Sequence, residues 1–199
     1  MKIIFSILVW LLLTFSVKAQ FSYDEVGQVI PFAMGEKYKN LIDTSKVSTC
    51  HLKSYNNDSL YIVKNKNIEG EFVAVGFPID TLIDLKAVAT KYKIEEGTVW
   101  LYKIESKTAE MLDIQIDHLD LPEGAYLCLF PKQNELKIRG PRIYTGKNLK
   151  YPVFRKDVYG NQLFIEYFEP NNTNRSASII ISSIGYTYSS PLKKKIKLD

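Results

Sequence analysis

The chain has 199 residues, with 26 Lys and Arg against 22 Asp and Glu, a net charge of +4 with histidine neutral. Such a balance gives no electrostatic case for a nucleic-acid partner. Thirteen tyrosines and ten phenylalanines favour strands over helices, and two cysteines with two histidines are sparse material for a metal or nucleophilic centre.

Residues 1–19 begin with Lys2, run through the apolar Ile3 to Val17 and end in Val17-Lys18-Ala19, the pattern of a secretory signal peptide cleaved after Ala19. The apolar run falls short of the ~20 residues that a membrane-spanning helix needs. No second apolar run is longer, so the expected mature product carries no membrane span and is secreted, extracellular or periplasmic. Cleavage leaves 180 residues, and loss of Lys2 and Lys18 brings the net charge to +2, enough chain for one well-cored domain.

Residues 20–69 are polar and weakly patterned and read as an extended lead-in. Short strands are expected at Val29–Phe32 and Leu60–Val63, the second introduced by the turn-prone Asn56-Asn57-Asp58-Ser59. Residues 70–188 carry the regular pattern. Phe72–Val75 and Pro78–Leu85 fit strands, with a helix over Leu82–Thr90 as the alternative. Trp100, Tyr102 and Ile104 alternate with Leu101, Lys103 and Glu105, and Leu112, Ile114 and Ile116 alternate with Asp113, Gln115 and Asp117. Leu121-Pro122-Glu123-Gly124 has type I turn chemistry, joining two strands in a hairpin or a tight sheet corner. Beyond it, Ala125, Leu127 and Leu129 face one way and Tyr126, Cys128 and Phe130 the other, so that strand is apolar on both faces and belongs deep in a sheet.

Leu136–Arg139 reads as a short strand ended by Gly140-Pro141, marking a sheet edge. Leu163, Ile165 and Tyr167 alternate with Phe164, Glu166 and Phe168, and Ser176–Ile184 forms a last strand. Residues 189–199, with Lys193–Lys197, read as a solvated basic tail. Short strands separated by regular turn signals predict an all-β single domain, an antiparallel β-sandwich or jelly-roll-like fold. Its core is expected from Trp100, Tyr102, Ile104, Leu112, Ile114, Ile116, Leu127, Leu129, Ile165, Ile179 and Ile181.

Chemistry is thin. A serine-peptidase triad needs a hydroxyl, a histidine and a carboxylate. His51 lies in a polar segment, His118 reads as a partly buried partner of Asp117 or Asp120, and no serine sits in a glycine frame. Zinc ligands are too scattered, Asp113, Asp117, Asp120 and Glu123 read as the wet side of a strand and turn rather than a calcium loop, and no cofactor motif is present. The sequons at Asn57, Asn171 and Asn174 mark expected surface loops. Cys50 and Cys128 are the candidate disulfide, a bridge across nearly eighty residues that the chain-entropy model values at ~4 kcal/mol. The alternative is a buried apolar Cys128 with Cys50 as a loop thiol.

Taken together, Phe72–Val75 with Pro78, Gly97-Thr98-Val99-Trp100, Leu121-Pro122-Glu123-Gly124-Ala125, Gly140-Pro141, Phe164–Pro170 and Ile184-Gly185-Tyr186 resemble, in order, a known region. That region is the non-catalytic N-terminal part of secreted bacterial lysyl endopeptidase-like, trypsin-fold serine peptidases. The resemblance covers roughly residues 70–187 and implies a β-rich accessory or pro-region-like module, since the family's peptidase domain would begin near Asp199. No catalytic residue carries over. The partners it implies are a secreted trypsin-like peptidase or an extracellular surface ligand such as a glycan; a leftover piece of a split peptidase gene is the remaining alternative. Tyr126, Tyr144, Tyr151 and Phe154 are the aromatic residues open to a binding role.

Overall fold

The computed structural model of the chain describes residues 30–66, 75–132, 142–145 and 158–189. Among the described residues ten strands form two layers. The first sheet holds β1 (Ser48–His51), β4 (Gly97–Glu105), β9 (Gln162–Pro170), β6 (Tyr126–Pro131) and β7 (Arg142–Thr145) in that order, with β3 (Thr90–Lys93) sharing the outer edge of β4 with β1. The second sheet runs β2 (Gly76–Asp84), β10 (Ser178–Thr187), β5 (Met111–Asp120) and β8 (Val158–Tyr159). Every pairing is antiparallel except β1 with β4. The domain is an all-β sandwich.

Period-2 alternation decides what lies between the layers. All eleven residues expected in the core belong to the cluster between the sheets. The opposite side of the first sheet buries a second cluster, Val99, Leu101, Tyr126, Cys128, Phe130, Phe164 and Phe168 among it. The β6 strand is therefore buried on both faces, as its sequence requires.

The lead-in supplies the cover over that second cluster. Residues 30–47, a strap with two 3-10 turns at Phe32–Met34 and Glu36–Tyr38, lay Phe32, Met34, Tyr38, Ile42 and Val47 on the first sheet. The strap continues directly into β1. No strand forms over Ile30–Phe32, where Pro31 instead precedes the first 3-10 turn. The expected strand at Leu60–Val63 is also replaced, by the helix α1 (Asn57–Asn65). Asn56, read as part of a turn, is the N-cap, its side-chain oxygen accepting from the Ser59 amide at 3.0 Å. That cap outweighs the β preference of Tyr61, Ile62 and Val63. Asn57 is no open loop residue: its amide donates to the Thr108 carbonyl at 2.5 Å and accepts from the Tyr186 hydroxyl at 3.0 Å.

Around Pro122 the chain makes a corner, β5 lying in one sheet and β6 in the other. The turn sits one residue later than its type I reading. The Ala125 amide bonds to the Pro122 carbonyl at 3.2 Å, and Gly124 takes φ 77°, so glycine fills the third position as a type II turn demands. Residues 82–90 divide, β2 ending at Asp84, which caps the single-turn helix α2 (Leu85–Val88). Among the described residues β7 ends the order of the first sheet, while the expected edge strand Leu136–Arg139 and the Gly140-Pro141 that closes it lie outside the described residues.

Candidate functional site

Three polar clusters punctuate the sandwich. The first is Glu166 on β9, whose alternation with Phe164 and Phe168 places it in the apolar cluster beneath the strap with no exposed surface. Its carboxylate accepts from the Phe32 amide, the Ala33 amide and the Tyr126 hydroxyl, each at 2.8 Å. Burial pushes the Glu166 carboxyl up, and the three donors oppose that shift. Tyr126 is driven up in turn, by burial first and then by the neighbouring carboxylate. An acidic residue flanked at i−2 and i+2 by phenylalanine was the available sequence signal for this site; nothing local reveals that two of its three donors come from residues more than 130 positions away and the third from 40.

The second cluster closes one end of the sandwich. Lys86 on α2 sets its Nζ 3.0 Å from Glu169 Oε2 and 2.6 Å from Ser176 Oγ, and 4.4 Å from the Trp100 ring centroid. The Tyr167 hydroxyl donates to the same Glu169 oxygen at 2.6 Å. Burial works against ionisation of Glu169, yet the bonds from Tyr167 and Lys86 outweigh it and hold the carboxyl below its ordinary range. Tyr167 is pushed up by burial and by its bond to Glu169. The arrangement is a closed brace tying α2, β4, β9 and the residues leading into β10 together, with the ammonium lying over the Trp100 and Tyr167 rings.

The third is at the surface. His51 Nδ1 lies 2.9 Å from Glu105 Oε1, while Lys103 and Gln162 hold the other oxygen at 2.9 and 3.2 Å. The Lys103 bond is the main reason the Glu105 carboxyl falls below its usual value. His118 is exposed on the second sheet rather than partly buried. Its two expected partners are engaged elsewhere, Asp117 by Gln115 and Ser182 and Asp120 by Arg175. The two imidazoles thus stand on different sheets. Among the described residues no group of three or more His, Cys, Asp or Glu side chains is placed to hold a metal ion.

Tyr126 and Tyr144, expected as contact aromatics, are both buried, the first under the strap and the second between the sheets. Tyr151 and Phe154 lie outside the described residues, as do residues 1–19 and the tail beyond Ser189.

The expected disulfide does not form. Cys50 packs against the cluster between the sheets and Cys128 belongs to the cluster under the strap, so the thiols occupy opposite faces of one sheet. Three strand spacings, about 14 Å, also separate β1 from β6, well beyond the ~7 Å Cα limit for a bridge. Burial raises both thiols, with Glu166 adding to the effect at Cys128. Thiol titration of unfolded, unreduced protein is expected to return two free thiols per chain; a count of zero would show that the sulfurs do meet.

Among the described residues no helix is long and apolar enough to cross a membrane. The chain matches no family model, no curated protein and no solved structure.

Proposed function

We propose that the chain is a non-catalytic binding module, exported by cleavage after Ala19, which acts beside a secreted trypsin-like peptidase as an accessory or pro-region-like partner. The observation that carries the non-catalytic half is the separation of the two histidines, His51 paired with Glu105 on the first sheet and His118 standing on the other. A His–carboxylate pair without a nucleophile orients an imidazole but has no attacking atom to serve.

The outer side of the second sheet supports the binding half. The strap occupies the outer side of the first sheet, whereas the second presents exposed Asp80, Asp84, Asp117 and His118 around Leu82, which is 83% exposed. The large exposed apolar side chains among the described residues are aliphatic, so a sugar-stacking aromatic platform has no support there. An acidic face with an aliphatic centre suits a basic protein surface, met over an interface on the order of 1,600 Å².

Affinity capture from the producing organism's secreted fraction tests this reading. Recovery of a trypsin-like peptidase, lost when Asp80, Asp84 and Asp117 are replaced by lysine, is the expected result. Recovery of glycans or envelope proteins instead would overturn the peptidase association. Hydrolysis of a protein substrate by the pure chain, abolished in His51→Ala or His118→Ala, would overturn the non-catalytic claim.

A further inference from the structure

We propose that the outer side of the second sheet is the seat of the chain's own basic segment, Lys193–Lys197, which folds back beyond Ser189 and sets its lysines against Asp80 and Asp117. Three features of that side ask for a cationic and partly apolar occupant. Asp80 on β2 and Asp117 on β5 flank β10, and among the described residues neither belongs to an ion pair. Asp117 accepts from the neutral Gln115 and Ser182 instead. Leu82, two residues beyond Asp80, is 83% exposed. The third feature is Ser183, which lies in register with both Asp80 and Gln115 and alternates with Ile184 of the core between the sheets, so that it faces outward. Its side chain is 6% exposed, and its Oγ has no hydrogen-bond partner among the described residues. A buried hydroxyl in that state wants a polar group from whatever lies over it.

Strand order delivers the basic segment to this side. The chain leaves β10, between β2 and β5, and its Ser189 amide bonds to the Val75 carbonyl just ahead of β2. Measured back along β10, Asp80 is level with Ser183, six residues from Ser189 and so about 20 Å away. Asp117 is level with Ile180 and Ile181, about 28 Å back. Lys195 and Lys197 stand six and eight residues beyond Ser189, which gives an extended chain roughly 20 and 27 Å of reach. A reversal at Ser190-Pro191 takes up part of that length, and the lysine stems restore it. Lys195 is thereby placed for Asp80 and Lys197 for Asp117, while Ile196 between them is the apolar mate available to Leu82.

Exposed ion pairs are individually weak, so the contact is set by several lysines together and yields to salt. Because it lies within one chain, it stands apart from the peptidase reading. Where that reading holds, the segment is a built-in competitor that a basic partner surface must displace from the same carboxylates.

Zero-length carbodiimide coupling, which joins a lysine amine to a touching carboxylate with loss of water, tests this on the monomeric full chain with peptide mass spectrometry as the readout. Links from Lys193–Lys197 to Asp80 or Asp117 are expected at low salt. They should fall at least about fivefold at 1 M salt, where the screening length shrinks to ~3 Å, measured against the Lys86–Glu169 pair as internal reference. A synthetic peptide of residues 190–197 gives a second readout. It should bind about threefold or more tightly to the variant carrying Lys193→Gln, Lys194→Gln, Lys195→Gln and Lys197→Gln than to wild type, since the tethered segment then no longer competes. Asp80→Asn with Asp117→Asn should abolish that binding. The proposal is overturned if the lysines couple to no carboxylate, couple evenly to acids over the whole surface, or reach Asp80 and Asp117 only between two chains. Equal peptide binding by wild type and the glutamine variant overturns it as well. Neither readout involves a peptidase, so such a failure leaves the reading of the partner where it stands.

Discussion

Replacing Gly97 with alanine is expected to destabilise the domain by about 3 kcal/mol or more, lowering its melting temperature by roughly 10 °C. Gly97 opens β4 opposite Pro170 of β9. A β-carbon there would stand 2.2 Å from the Glu169 carbonyl oxygen and 2.9 Å from both Pro170 Cα and Phe168 Cε2. Two of those three atoms are backbone, so relief requires moving two central strands apart rather than turning a side chain. Gly35 in the strap is the matching control. Its added carbon would meet nothing closer than 3.7 Å, and its φ of −74° suits alanine, so Gly35→Ala should change stability by no more than ~0.5 kcal/mol. Thermal or urea unfolding of the two variants in parallel checks the contrast; equal losses would mean that the approach of β4 to β9 is looser than described.

Tyr167→Ala should cost about 4 kcal/mol and Tyr167→Phe about 2 kcal/mol. The larger figure removes a fully buried ring that packs 5.2 Å from Trp100 and lies beneath the Lys86 ammonium. The smaller removes only the hydroxyl that donates to Glu169 at 2.6 Å. Glu169 adds a pH signature. Its folded carboxyl lies below the ordinary value of 4.5, so the stability it contributes is present above that value and is lost as pH falls through the folded one. Tyr167→Phe deletes one of the bonds responsible and should shrink that acid-side loss. Urea midpoints at pH 7 and at pH 3 to 4 for wild type and both variants give the answer. A phenylalanine variant as unstable as the alanine one would assign the whole effect to the hydroxyl, against the packing account.

Much of the sandwich was legible because two-residue alternation is a local property. The residues from Trp100 to Ile104 and from Leu163 to Tyr167 announce their buried face without reference to any partner. The corner at Pro122 was legible as a break, though its turn type was misread by one position, because proline and glycine offer two frames and only the Ala125 bond to Pro122 selects one. The α1 segment went the other way. A β-branched run is weak evidence when a residue ahead of it can cap a helix, and Asn56 does so.

Non-local facts were out of reach. Nothing in residues 30–47 says that they lie on the far side of β9, and Glu166 gives no local sign that it meets the amides of Phe32 and Ala33. The cysteines show the same limit from another side. Parity and compartment favour a bridge, while strand order decides against it by placing the sulfurs on opposite faces.

Strand order also dictates when the molecule can fold. The last two strands among the described residues are the central ones, β9 between β4 and β6 and β10 between β2 and β5. Until residues 162–187 have emerged from the ribosome, neither layer has its middle, and the earlier strands can form only the flanking pairings of β4 with β1 and β3, β6 with β7 and β5 with β8. A nascent chain that stops short of β9 therefore holds most of the buried apolar side chains but lacks the ladders of β9 with β4 and β6 and of β10 with β2 and β5, so closure of the domain waits for residues 162–187 and rests on long-range pairings that are slow to find. Over that interval the polypeptide remains open, threadable and dependent on whatever holds its exposed strands apart.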